Sequence, residues 1–170
     1  MNLELDKKTV IITGGTGGIG KHICSDFIAE GANVIALYRN QEKYDNLVKW
    51  VDSIQLDTSR LFGKRCSILS EEELKNCMKE IQTEMGSIDV LVNCAGSAHE
   101  YPFAMMNEEH IDSMMNVNLK ATMMVSRSQL SVKTSSVEIS TAEVQFPSSS
   151  SLVFTDSSPG QVSTSGASVS

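Results

Sequence analysis

Thr9-Val10-Ile11-Ile12-Thr13-Gly14-Gly15-Thr16-Gly17-Gly18-Ile19-Gly20 is the stretch on which the reading of this chain turns. Its first five residues form a continuous apolar and β-branched run, the pattern of a strand buried on both faces. The glycines that follow lead into a helical pattern through Ile23, Phe27 and Ile28, which Gly31 stops. A glycine-rich turn between a buried strand and a helix gathers backbone N–H groups and a helix N-terminus at one point, where an anionic pyrophosphate can sit. Side chains there would block close approach of the phosphates, and some positions need positive φ. Gly15–Lys21 also fits Gly-x-x-x-x-Gly-Lys, the start of a nucleoside-triphosphate loop. However, His22 stands where the magnesium-holding Ser or Thr belongs, and no acid closes a later strand to hold that metal.

Outward from this stretch, strands and helices alternate. Asn33–Tyr38 reads as a second strand, followed by a polar helix carrying Leu47, Val48, Val51 and Ile54. A weaker third strand spans Leu61–Ile68. Ser70 with Glu73 three residues on forms a capping box. The helix it opens sets Leu74, Cys77, Met78 and Ile81 on one face and ends at Gly86. Ile88–Val92 is a fourth strand. Asn107 caps a last helix with Glu108 and Glu109 in its first turn, and Ile111, Met114, Met115, Leu119 and Met123 are expected to face a core. This order predicts an α/β fold over residues 5–127, a doubly wound parallel sheet with helices on both faces.

The composition is that of an ordinary one-domain protein: 170 residues, 41% hydrophobic and 21% charged. A net charge of −7 argues against a nucleic-acid partner, which needs a basic surface. No window approaches the roughly 18–20 apolar residues of a membrane span, and Met1–Asp6 lacks the order of a signal peptide. A cytoplasmic protein without a membrane partner is the expectation. The four cysteines (Cys24, Cys66, Cys77, Cys94) form no C-x-x-C pair and read as reduced core thiols. His22, His99 and His110 show no ligand spacing, so no metal site is expected.

Near Arg127 the composition changes abruptly. Residues 1–127 hold nine serines and residues 128–170 hold fifteen, with one lysine, Lys133, and the run Ser148–Ser151. So hydroxyl-rich a segment buries little apolar surface against the entropy of ordering it, and 128–170 reads as a disordered tail. Leu152-Val153-Phe154 is a short run able to form a strand.

In a dinucleotide fold the residue about 20 positions past the glycine loop meets the adenosine ribose, an acid suiting NAD and an arginine NADP. Here the second strand ends in Tyr38-Arg39 and the next acid is Glu42. Arg39 can pair bidentately with a 2′-phosphate, which favours NADP(H) over NAD(H).

Three motifs resemble the short-chain dehydrogenase/reductase family: Thr13-Gly14-x-x-x-Gly18-Ile19-Gly20, Asn93-Cys94-Ala95-Gly96 and Asn116-Val117-Asn118-Leu119. Within that family the likeness is nearest to the 3-oxoacyl-acyl-carrier-protein reductase type. The resemblance implies a Rossmann-like, NAD(P)-binding domain over residues 1–127 and hydride transfer between a nicotinamide and a small carbonyl or alcohol substrate, usually in a homo-oligomer. It implies that Gly14, Thr16, Gly18, Ile19 and Gly20 line the pyrophosphate and adjoining ribose. Asn93, Ala95 and Gly96 would lie on the adenosine side and brace the central strands, and Asn118 would hold a water in a proton relay. Cys94 replaces the second Asn of the family's Asn-Asn-Ala-Gly, and Ser67 stands where the family places the acid that bonds the adenine.

The family's Tyr-x-x-x-Lys pair has no counterpart. Four residues beyond Tyr38, Tyr44 and Tyr101 stand Glu42, Val48 and Met105, and all three tyrosines precede Asn118. The tail offers two conflicting echoes. Leu152–Ser158 resembles the strand ending in the catalytic serine, at Ser157 or Ser158. Pro159-Gly160-Gln161 resembles the approach to the tyrosine and would put Thr164 and Ser168 in its place. Two readings stand: an NADP-linked short-chain oxidoreductase, or a truncated or frame-shifted product without catalysis that binds dinucleotide or serves as an interaction module.

Overall fold

In the computed structural model, which describes residues 4–98 and 102–136, four strands form one parallel sheet in the order β3-β2-β1-β4. β1 is Thr9–Thr13, β2 Asn33–Tyr38, β3 Leu61–Arg65 and β4 Val90–Asn93. The helices are α1 (Gly18–Ala29), α2 (Gln41–Ser53), α3 (Glu71–Met85), α4 (Glu108–Met115) and α5 (Ala121–Ser136).

Alternate residues of the central strands supply two cores, as period-two side chains must. Val10, Ile12, Val34 and Ala36 pack with Cys24 and Ile28 of α1 and Leu47 and Val51 of α2. Ile11, Ile35 and Leu37 pack on the other face with Leu74, Cys77, Met78 and Ile81 of α3 and Val125 of α5. The doubly wound, Rossmann-like parallel sheet is therefore present, and all five residues of β1 are buried. The four cysteines form no disulfide, and burial pushes the Cys24 thiol up to about 12.

Several local details differ from the sequence reading. β3 stops at Arg65 rather than Ile68, because Ser67 already turns the chain, its carbonyl accepting from Ser70 N at 3.1 Å. Ser70 does cap α3, accepting from Glu73 N, but the Glu73 carboxylate reaches past it to Ser67 N at 2.9 Å. Ile54 lies just beyond α2 and is exposed rather than packed.

The larger correction concerns the last helical region. Asn107 caps α4 as predicted, its side chain accepting from His110 N at 2.9 Å. Yet Ile111, Met115, Leu119 and Met123 are exposed, Met123 by 64%, and only Met114 is partly covered. The side chains facing the core are Ala121, Val125, Ser128 and Gln129. Between α4 and α5 the backbone widens to π-type bonding over Asn116–Lys120. Such a turn takes up extra residues and shifts the phase of everything beyond it, so a single 3.6-residue period does not describe both halves. α5 continues through Arg127 to Ser136, nine residues into the serine-rich segment, and Arg127 pairs with Glu71 of α3 at 2.8 Å. The remainder of the tail, with Ser148–Ser151, Leu152–Phe154, Ser157, Ser158, Thr164 and Ser168, lies outside the described residues, as does His99.

Candidate functional site

Parallel strands all present their carboxyl ends to one side, and there a cleft of about 1050 Å³ opens. Following the strand order, its wall is built from Cys66, Ile68 and Leu69 after β3, Tyr38, Arg39 and Asn40 after β2, the glycine loop after β1, and Cys94–Ala98 after β4. Val117 and Asn118 of the widened turn complete it.

The glycine loop is shaped by close approach. Gly14 has φ +68°, and a Cβ there would lie 2.7 Å from the Ala95 Cα. A Cβ on Gly20 would stand 2.1 Å from the Gly14 carbonyl oxygen, so α1 packs directly on the loop backbone. Gly18 is different, since a Cβ there meets no protein atom within 4 Å. Its openness belongs to the cleft rather than to packing. Gly17 precedes the helix in extended conformation, no side chain caps it, and no acid lies in the first turn of α1. The positive end of the helix dipole thus faces the cleft without a protein anion to answer it.

Thr13 locks the loop to its neighbour. Its buried Oγ1 accepts from the backbone N–H groups of both Cys94 and Ala95, each at 3.1 Å. Beyond them, Asn118 and Ser97 exchange two bonds: Ser97 N donates to Asn118 Oδ1 at 2.8 Å, and Asn118 Nδ2 donates to the Ser97 carbonyl at 2.9 Å. A Cβ on Gly96 would lie 3.4 Å from the same Oδ1. The Asn118 carbonyl accepts from Thr122 Oγ1 at 3.0 Å.

At the other end the wall carries two cations, Arg39 and Lys43, and neither forms an ion pair among the described residues. Among the described residues no carboxylate lines the cleft. In a chain of net charge −7 this is a local reversal of sign that suits an anionic ligand. Lys43 escaped the sequence reading. Its signal is its place four residues after Arg39 in the first turn of α2, where the Asn40 cap holds its backbone N–H at 3.1 Å.

Of the residues singled out from sequence, Gly14, Thr16, Gly18, Ile19, Gly20, Arg39, Ala95, Gly96 and Asn118 stand together in the wall. Ser67 and Asn93 do not. The Ser67 backbone is engaged with α3, and Asn93 Nδ2 donates to Ser126 Oγ at 3.2 Å, tying β4 to α5. The nucleoside-triphosphate alternative loses its lysine as well. Lys21 lies 5.0 Å from the centroid of the Trp50 ring, on which His22 packs edge-on, and it is absent from the wall. Among the described residues no three His, Cys, Asp or Glu side chains group as metal ligands, and no helix is long and apolar enough to cross a membrane.

Comparisons with known proteins agree with this geometry. The family model for short chain dehydrogenase matches residues 8–145. The 7alpha-hydroxysteroid dehydrogenase of Escherichia coli (strain K12) is 39% identical over 104 residues, 61% of this chain and 40% of that protein. A 3-oxoacyl-[acyl-carrier-protein] reductase of Thermotoga maritima is 33% identical over 125 residues, 74% of this chain and 50% of that one. Among solved structures, a variant of actinorhodin polyketide ketoreductase with NADPH superimposes with a TM-score of 0.66 at 25% identity, covering 73% of this chain and 46% of that chain. The chain spans half or less of the length of these curated relatives.

Proposed function

Because this chain belongs to the short chain dehydrogenase family, we propose that its cleft binds NADP(H) in preference to NAD(H), as the cofactor-holding part of an oxidoreductase acting on a carbonyl or alcohol. The observation that carries this is the pair Arg39 and Lys43, two cations without an ion-pair partner among the described residues, in a wall to which no described residue adds a carboxylate. A 2′-phosphate satisfies both, Arg39 through a bidentate fork and Lys43 as a point charge. The open face of Gly18 and the uncapped start of α1 fit a pyrophosphate.

When bound, the nicotinamide supplies or accepts the hydride. The residues of this chain bind and orient. Thr13 holds the Cys94–Ala95 backbone against the loop, and Asn118 holds Ser97. The Asn118 carbonyl accepts from Thr122 Oγ1, and Asn118 stands at the relay position that its motif suggests. A second reading, dinucleotide binding without turnover, is favoured by one specific observation: no tyrosine of the 170 residues has a lysine four positions on.

Calorimetric titration of the chain with NADPH and NADH tests the first reading, and a ketone panel with NADPH separates it from the second. NADPH binding at least tenfold tighter than NADH supports the cofactor assignment, equal affinities overturn the preference, and no binding of either overturns the dinucleotide site. Turnover above buffer overturns binding without catalysis.

A further inference from the structure

Ser97 stands at the β4 end of the cleft with its backbone fully engaged, N–H and carbonyl both bonded to the Asn118 carboxamide. Its hydroxyl is in the opposite condition. The Oγ atom is covered from solvent and has no hydrogen-bond partner among the described residues. A buried hydroxyl left unpaired is destabilising, whereas alanine would occupy the same place without that cost. The Asn118 clamp prevents the loop from shifting to find the hydroxyl a protein partner. Ser97 as a residue is only half-buried and belongs to the cleft wall. Rotation about χ1 is the freedom left to the oxygen, because it leaves the clamped backbone in place.

The strand order says which part of a ligand meets it. Arg39 and Lys43 lie beside the β2 end, the glycine loop follows β1, and Ser97 follows β4 on the far side. A dinucleotide with its phosphorylated adenosine at Arg39 and its pyrophosphate on the loop brings its second ribose to the β4 end. Resting on the cofactor reading above, we infer that the Ser97 hydroxyl is a ligand-binding group that turns to hydrogen-bond a hydroxyl of the nicotinamide-side ribose. It is a binding residue on the half of the site where Arg39 has no reach.

Ser97→Ala and Ser97→Thr, each compared with the parent chain, test this with two probes, NADPH and adenosine 2′,5′-bisphosphate, which lacks the nicotinamide half. Ser97→Ala is expected to melt at or above the parent temperature without ligand. It should bind NADPH roughly 3- to 10-fold more weakly, the loss of one hydrogen bond, and bind the bisphosphate as the parent does. Ser97→Thr, which keeps a hydroxyl, should recover most of the NADPH affinity. Unchanged NADPH affinity in Ser97→Ala overturns the inference, as does an equal loss for both probes. A melting temperature well below the parent shows the hydroxyl to be structural and also overturns it. If the parent binds neither probe, the cofactor reading falls and takes this inference with it. If the parent binds both and only the Ser97 effects fail to appear, the inference alone falls.

Discussion

The carboxamide of Asn118 and the backbone of Ser97, 21 residues apart, close a two-bond ring of 2.8 and 2.9 Å, the pairing one strand makes with another. It joins the widened turn Asn116–Lys120 to the loop after β4 and so fixes one end of the cleft. Asn118→Leu should remove both bonds and cost about 1–2 kcal/mol of stability. NADPH affinity should fall with it, because the Ala95–Ala98 wall loses its tether. Urea denaturation and calorimetric titration of the same variant check the two effects.

The glycine loop separates binding from folding. Gly20→Ala places a methyl 2.1 Å from the Gly14 carbonyl oxygen and should cost about 3 kcal/mol through forced repacking. A Cβ on Gly18 meets no protein atom within 4 Å, so Gly18→Val should melt close to the parent and yet lose NADPH by more than about tenfold. Thermal melts with and without NADPH distinguish the pair. A Gly18→Val protein that binds normally would remove the loop from the site.

Cofactor choice should rest on charge. Arg39→Ala is expected to weaken NADPH by roughly 10- to 100-fold, and Lys43→Ala by less, since a flexible ammonium offers no fork. NADH affinity should hardly change in either. Raising the salt concentration should weaken NADPH more than NADH in the parent chain.

Asp89 gives the pH dependence a sign. Its carboxylate accepts from Thr9 N at 2.9 Å, with Ser87 and Lys8 also beside it, and these hold its pKa below the usual carboxylate range. Because the folded value lies below the unfolded one of about 3.9, its contribution is complete above roughly pH 4 and is lost as pH falls through the folded value. Asp89→Asn should cost about 1 kcal/mol at pH 7 and less at pH 3. Denaturation midpoints at the two pH values measure this.

Much of this architecture is legible in the residues alone. The bounds of β1 and β2, the buried face of α3 and the alternation of strands and helices that makes the sheet parallel follow from runs and periods that are local properties of the chain. What escapes is what depends on a change of phase or on a distant partner. The widened turn at Asn116–Lys120 leaves no mark in composition, so the sequence pattern points Met123 at a core that Val125 and Ser128 occupy. Asn93 opens its motif and Ser67 follows β3, but Ser126 and Glu73 claim them. Lys43 and Ser97 became visible only when four separate loops met at the carboxyl ends of the strands.

Trp50 is the only tryptophan of the chain, and it sits under the Lys21 ammonium and against the edge of His22, at the start of the helix that opens with Gly18. All indole emission from this protein therefore comes from one ring beside the first turn of α1. A shift of the first turn of α1 changes what that ring touches and so the colour of its emission, giving the helix that follows the loop an optical reporter that needs no label.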